Sequence, residues 1–155
     1  MSSADLRGRV QAYLAAHRVM TLATGGDEGP WAAAVFYVHD GWRLYFLSDP
    51  ASRHCRDIAQ NPRVAVTIQE DYPDWQEIKG IQLEGTAARL SGTEEERVRS
   101  LYSAKFPLLR DPPDAIARAM SRIGWYRVAP GRAWFVDNSI AFGRRDEIDL
   151  ELKRP

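Results

Sequence analysis

One cysteine, Cys55, among 155 residues excludes an internal disulfide framework and any multi-cysteine zinc site. The three histidines, His17, His39 and His54, are far apart and show no paired ligand spacing, so no metal site is expected. Charge of either sign is not in excess: 21 Lys plus Arg balance 21 Asp plus Glu, and the pI is about 6.8. A nucleic-acid partner normally demands a basic surplus, so none is expected. No apolar run is long enough to span a bilayer, and the N-terminal stretch lacks the basic-then-apolar plan of a secretory signal. Neither common phosphate-binding glycine loop occurs, and Ser121 and Ser139 sit in no nucleophile-elbow context. The expectation is a soluble, cytoplasmic protein with no membrane partner.

What is present is ordinary globular material, 45% apolar and 27% charged, too hydrophobic for a disordered chain. Its length matches one domain, residues 1–155, able to bury a core without staples. Ser2 or Ser3 caps a first helix whose Leu6, Val10, Tyr13 and Leu14 recur at helical spacing and which ends near His17. Val19–Thr24 reads as a strand, Gly25–Pro30 as a turn cluster, and Trp31–His39 as a second strand. Asp40-Gly41 signals a tight hairpin into Trp42–Ser48, whose alternation predicts a half-buried strand, so these three strands read as an antiparallel meander.

Asp49 as cap and Pro50 at the first position start a helix that stops before Asn61-Pro62. Strands follow at Val64–Ile68 and Ile78–Leu90, the latter with bulge signals at Gly80 and Gly85. Thr93 to Glu96 reads as a capping box opening a third helix, and Ile116 to Ile123 as a fourth. Trp125–Val128 and Ala133–Val136 read as two short strands, and Asn138–Pro155 as a polar tail. Strands in hairpins outnumber strand-helix units, which predicts a mainly β fold with peripheral helices, an antiparallel barrel.

Two stretches suggest a ligand. Ser48–Arg56 joins a strand end to a helix N-terminus, where unpaired N–H groups and a partial positive charge suit a phosphate. Ser52, Arg53 and His54 add donors there, although the same residues also suit a solvated helix face. Ala32-Ala33-Ala34-Val35 is unusual for a strand because alanine is a poor strand former. Such small side chains let a flat ligand reach the backbone, or let a helix or subunit pack tightly.

The order of these features resembles the pyridoxamine 5′-phosphate oxidase-like FMN-binding split barrels. The resemblance rests on Leu22-Ala23-Thr24 before the glycine turn and on Pro30-Trp31-Ala32-Ala33-Ala34-Val35-Phe36 after it. Leu44-Tyr45-Phe46-Leu47-Ser48 with Ser52-Arg53, Asn61-Pro62-Arg63-Val64-Ala65-Val66, and Ile81-Gln82-Leu83-Glu84-Gly85-Thr86-Ala87 complete it. It covers Val19 to Leu90, and Trp125 to Asn138 more loosely.

The resemblance implies an antiparallel split β-barrel, FMN as cofactor, and a homodimer with the flavin at the subunit interface. Ala32, Ala33, Ala34 and Val35 would match the strand whose backbone meets the flavin ring, and Leu47 and Ser48 the next contact pair. Ser52 and Arg53 would match the phosphate site. His54 stands where the family often has lysine, and Gln82 matches a polar contact to the ring. Asn138 and Arg144 lie where the tail would return to the partner's flavin.

The C-terminal Arg-x-His substrate signature of the true oxidases is missing. The region reads Asp137-Asn138-Ser139-Ile140-Ala141-Phe142-Gly143-Arg144-Arg145, which points to a separate branch and away from pyridoxamine phosphate oxidation. The implied activity is flavin-dependent oxidoreduction of a small molecule, with no catalytic acid or base nominated by the sequence. Deazaflavin or haem in the same barrel, and a non-catalytic ligand-binding or sensor role, stay open.

Overall fold

The computed structural model describes residues 2–151. Helix α1 spans Ser3–Ala16, and the Ser2 hydroxyl and Asp5 carboxylate satisfy each other's backbone N–H groups in a capping box. Val10 and Leu14 bury its inner face. Strands β1 (Val19–Gly26) and β2 (Gly29–Phe36) form a hairpin whose turn is only Asp27-Glu28, because Gly25, Gly26 and Pro30 are already paired. Gly29 adopts φ 94°, which an L side chain resists.

The expected strand Trp31–His39 is broken at Tyr37. This residue is fully buried, its N–H donates to Arg18 O at 2.9 Å and its hydroxyl to Leu14 O at 2.7 Å. Beyond it, β3 (Val38–Asp40) turns through Gly41-Trp42 into β4 (Arg43–Ser48). The expected meander is therefore not formed. With β5 (Arg63–Gln69), β6 (Lys79–Arg89) and β7 (Gly124–Asp137), the antiparallel sheet runs β2-β1-β5-β6-β7-β4-β3. One covalent segment thus supplies both ends of the order, which curls the sheet into a half-barrel. Local alternation shows that a strand exists but not which strand pairs with it.

Other boundaries also move. Asp49 accepts from Ala51 N at 2.8 Å in a local turn, so helix α2 starts later, as Arg53–Gln60 with Ser52 at its N-cap. Helix α3 (Gly92–Lys105) has Ser91 at its N-cap, and the expected Thr93–Glu96 box does not form. Glu94 is instead taken by Arg127 at 2.5 Å, tying α3 to β7. Helix α4 is Asp114–Met120. The two strands expected at 125–128 and 133–136 are one strand, β7, bent at Pro130-Gly131, where Gly131 is the extra residue of a bulge opposite Glu84 and Gly85 of β6. The expected polar tail contributes β8 (Arg145–Glu147) on β7, and its last positions, 152–155, lie outside the described residues.

The main core fills the inside of the barrel with Met20, Leu22, Leu44, Phe46, Val66, Leu83, Val128 and Phe135, closed by α1 and α2. A second cluster packs α3 on the outside through Val98, Tyr102, Tyr45 and Trp125. Strand β4 is therefore buried on both faces at Leu44, Tyr45 and Phe46, not half-buried as its alternation predicts. None of the helices among the described residues is long and apolar enough to cross a membrane.

Lys105 ends α3 with its ammonium donating to His17 O at 2.5 Å and lying 4.1 Å over the Tyr37 ring. Burial, with Arg18 nearby, lowers its pKa from 10.5 to about 8. Between those values the unfolded chain holds the proton that the folded chain has released, so this group adds stability as pH rises. Denaturation of wild type and Lys105→Met is expected to show the wild type gaining on the variant from pH 8 upward. A pH-independent difference between them would count against the burial of this charge.

Candidate functional site

Strand β4 ends at Leu47 and Ser48, and a tight turn leads directly into α2. This connection brings Ser48, Ser52 and His54 together. His54 Nε2 lies 2.6 Å from Ser48 Oγ and 3.3 Å from Ser52 Oγ. Burial lowers the His54 pKa against the opposing pull of Asp57, which favours the neutral ring beside Ser48. Asp57 is itself buried and accepts from Thr24 Oγ1 at 2.8 Å. Gly26 makes room for that carboxylate: a Cβ there would stand 2.3 Å from Asp57 Oδ1.

Ser52 makes no side-chain cap to α2, so its hydroxyl does not occupy the first-turn N–H groups. Arg53 leaves α2 toward the β1–β2 hairpin. Its guanidinium stacks 4.3 Å over Trp31 and donates to Glu28 O at 3.2 Å. Arg53 Nε is buried without a hydrogen bond, the Glu28 carboxylate lying 3.4 Å away outside bonding geometry. Glu28 and Trp31 are contacts that the local pattern did not nominate; a stacking aromatic and an acid beside a basic residue 22 to 25 positions later carry no local signal.

The registers align two outward rows across the barrel. One is Ala34, Thr21, Thr67, Gln82 and Trp134; the next is Ala32, Ala23, Ala65, Glu84 and Arg132. Their first three members are all alanine or threonine, so this part of the sheet is flat and approachable at the backbone. Ala32 and Ala34 are exposed on it, whereas Ala33 and Val35 lie on the opposite face, with Val35 packed against the core. Those two can offer only backbone to a ligand on the outer face. Leu47 packs against the outer cluster beside Tyr102. An open cleft of about 480 Å³ runs along this face past Ala23, Arg63, Ala65 and Glu84.

Gln82 shares the row of Ala34 but lies three strands away, about 14 Å at the usual strand spacing. Within one chain it is not brought to the Ser48–His54 cluster. Asn138 staples two loops, donating to Trp75 O at 2.9 Å and accepting from Gly143 N at 3.1 Å. Arg144 pairs with Asp146 at 2.9 Å. Neither reaches the α2 cluster of its own chain.

The sequence that builds this barrel and its strand-to-helix polar cluster also matches a known family. Residues 6–137 match the profile of pyridoxamine 5′-phosphate oxidase, and the chain belongs to that family. Within it, the chain is similar to a UPF0306 protein of Klebsiella pneumoniae (strain 342), 33% identical over 86% of each chain. Among solved structures, a heme-binding protein from Mycobacterium smegmatis superposes with a TM-score of 0.76 at 25% identity, over 97% of this chain and 59% of that one. An FAD-binding protein from Mesorhizobium loti superposes with a TM-score of 0.63 at 20% identity, over 82% of this chain and 91% of that one, a likeness of fold.

Proposed function

We propose that this chain is an FMN-binding flavoprotein, an oxidoreductase of a small molecule that works as a homodimer with the flavin between subunits. The observation that carries the reading is the first turn of α2, where the Ser52 hydroxyl and the N–H groups it could cap are not spent on each other. The buried, unbonded Arg53 Nε beside it fits an anionic group. The flat face of Ala32, Ala34, Thr21 and Ala23 suits a planar ring read through the backbone.

When bound, the flavin supplies hydride or electron transfer. Ser52 and Arg53 hold the phosphate, and Ser48 keeps the His54 ring in place beside it. Gln82 lies three strands from Ala34 of the same chain, which accords with a site completed across a dimer. At His17 and His54 haem fits less well: both ring nitrogens of His17 face Tyr13 O and Glu70, and His54 Nε2 faces Ser48.

The test is the visible absorption spectrum of the purified protein after FMN is added and excess removed by gel filtration, with mass by sedimentation. An oxidised-flavin band equimolar with subunits, on a dimer, is expected. A folded protein that retains no flavin, or one with a Soret band, would overturn the reading. Arg53→Ala is expected to weaken FMN binding by about 1.5–3 kcal/mol, the worth of a hydrogen bond to a charged group. Unchanged affinity in a flavin titration would remove Arg53 from the phosphate site.

A further inference from the structure

We propose that the Glu28 carboxylate is a built-in competitor for Arg53, so that a phosphate-bearing flavin enters by replacing one anion with another and is held reversibly. The inference rests on the flavin-phosphate reading above and adds a residue to it that neither the strand pattern nor the helix start suggests.

The arginine is anchored by contacts that an incoming anion need not break. Trp31 supports one face of the guanidinium at 4.3 Å, and the backbone carbonyl of Glu28 accepts from it at 3.2 Å. The hairpin tip that carries Glu28 is a two-residue turn with Gly29 at φ 94°, and Asp27 N donates to Gln60 Oε1 at 3.3 Å. The backbone part of the clamp is thus fixed to α2.

The carboxylate part is not. Its Oε2 lies 3.4 Å from Arg53 Nε without hydrogen-bond geometry, leaving that buried N–H unsatisfied. The Glu28 side chain is 64% exposed while Arg53 is 25% exposed. An exposed carboxylate returns to water at little cost, whereas an N–H shielded from water gains from a partner that meets it squarely. A phosphate oxygen supplies that partner, but only against the charge of the carboxylate that it displaces. Affinity for phosphate is held down by Glu28, while the guanidinium stays preset on Trp31.

The experiment compares wild type, Glu28→Gln, Arg53→Ala and the double variant by flavin fluorescence titration, using FMN and riboflavin as probes. Glu28→Gln is expected to bind FMN roughly three- to tenfold more tightly, a range set by an exposed ion pair plus relief of like-charge repulsion. Riboflavin, which has no phosphate, is expected to bind both proteins equally. In the Arg53→Ala background the gain from Glu28→Gln should vanish. Equal or weaker FMN binding by Glu28→Gln would overturn the proposal, weaker binding making Glu28 a positioning residue.

If no protein binds FMN, the flavin reading fails by itself, and inorganic phosphate becomes the probe, read by the Arg53 Nε–H proton resonance. A larger phosphate-induced shift in Glu28→Gln than in wild type would support competition at a free-phosphate site. No shift in either would overturn the competition as well.

Discussion

Gly85→Ala is expected to destabilise the protein by about 3 kcal/mol or more, the scale of a backbone-level steric conflict in a packed sheet. A Cβ at this position would stand 2.2 Å from Ala129 O and 2.9 Å from Pro130 Cα. Both obstacles are backbone, so no side-chain rotation relieves them. They cannot retreat easily either, because Gly85 pairs with Pro130 at the register shift where β6 and β7 bend together around the barrel. For a chain of this size the loss corresponds to a fall in melting temperature of roughly 6–12 °C. Gly131→Ala is the control: its Cβ would meet Glu84 O at an ordinary 3.7 Å, and its effect should stay within about 0.5 kcal/mol. Equal melting temperatures for Gly85→Ala and wild type would show that the bulge relaxes freely.

Asp137→Ala should be the other large loss. Asp137 ends β7 almost wholly buried, and its carboxylate is held by Arg9 from α1 and by Ser139, whose hydroxyl and N–H donate at 2.5 and 3.0 Å. Removing one member of a buried ion pair costs about 3–5 kcal/mol when the other is trapped, and the partly exposed Arg9 side chain lowers the expected value to about 2–3 kcal/mol. Burial by itself would raise the carboxyl pKa, but the bonds from Ser139 and Arg9 outweigh it and hold the group below the usual carboxylate range. A carboxyl with a depressed folded pKa contributes stability that is present above its unfolded value of about 3.9 and is lost as pH falls through the folded one. Urea denaturation of both proteins should therefore show the full gap at neutral pH, closing below about pH 4. A gap that persists undiminished at acid pH would mean that packing, not the ion pair, is what Asp137 supplies.

These two positions differ in how far they could be read before the fold was known. Gly85 inside a strand signals a bulge or a close approach, and the close approach is there. Asp137 opens what reads as a polar tail, and nothing local shows that Arg9, 128 residues earlier, will meet it. The candidate site divides in the same way. Ser48, Ser52 and His54 lie within seven residues of one another, so one strand-to-helix turn assembles them and their grouping was legible. The Arg53 clamp joins α2 to a hairpin tip 25 residues earlier, and the flat alanine and threonine face is spread over three strands.

By itself the sequence determined where most of the strands and helices lie, that Ser2 or Ser3 caps the first helix, the turn between β1 and β2, and the family of the barrel. These depend on side-chain period, cap chemistry and glycine or proline punctuation, all of which act within a few residues. Tertiary structure alone decided that Trp31–His39 breaks at Tyr37 to serve opposite ends of the sheet, and that two apparent strands are the single bent β7. It also decided that Ala32 and Ala34 face outward while Ala33 and Val35 face in, and that Glu28 meets Arg53. Each of those outcomes depends on strand partners and barrel curvature, set by burying the whole apolar inner face at once, and no short window of residues contains that information.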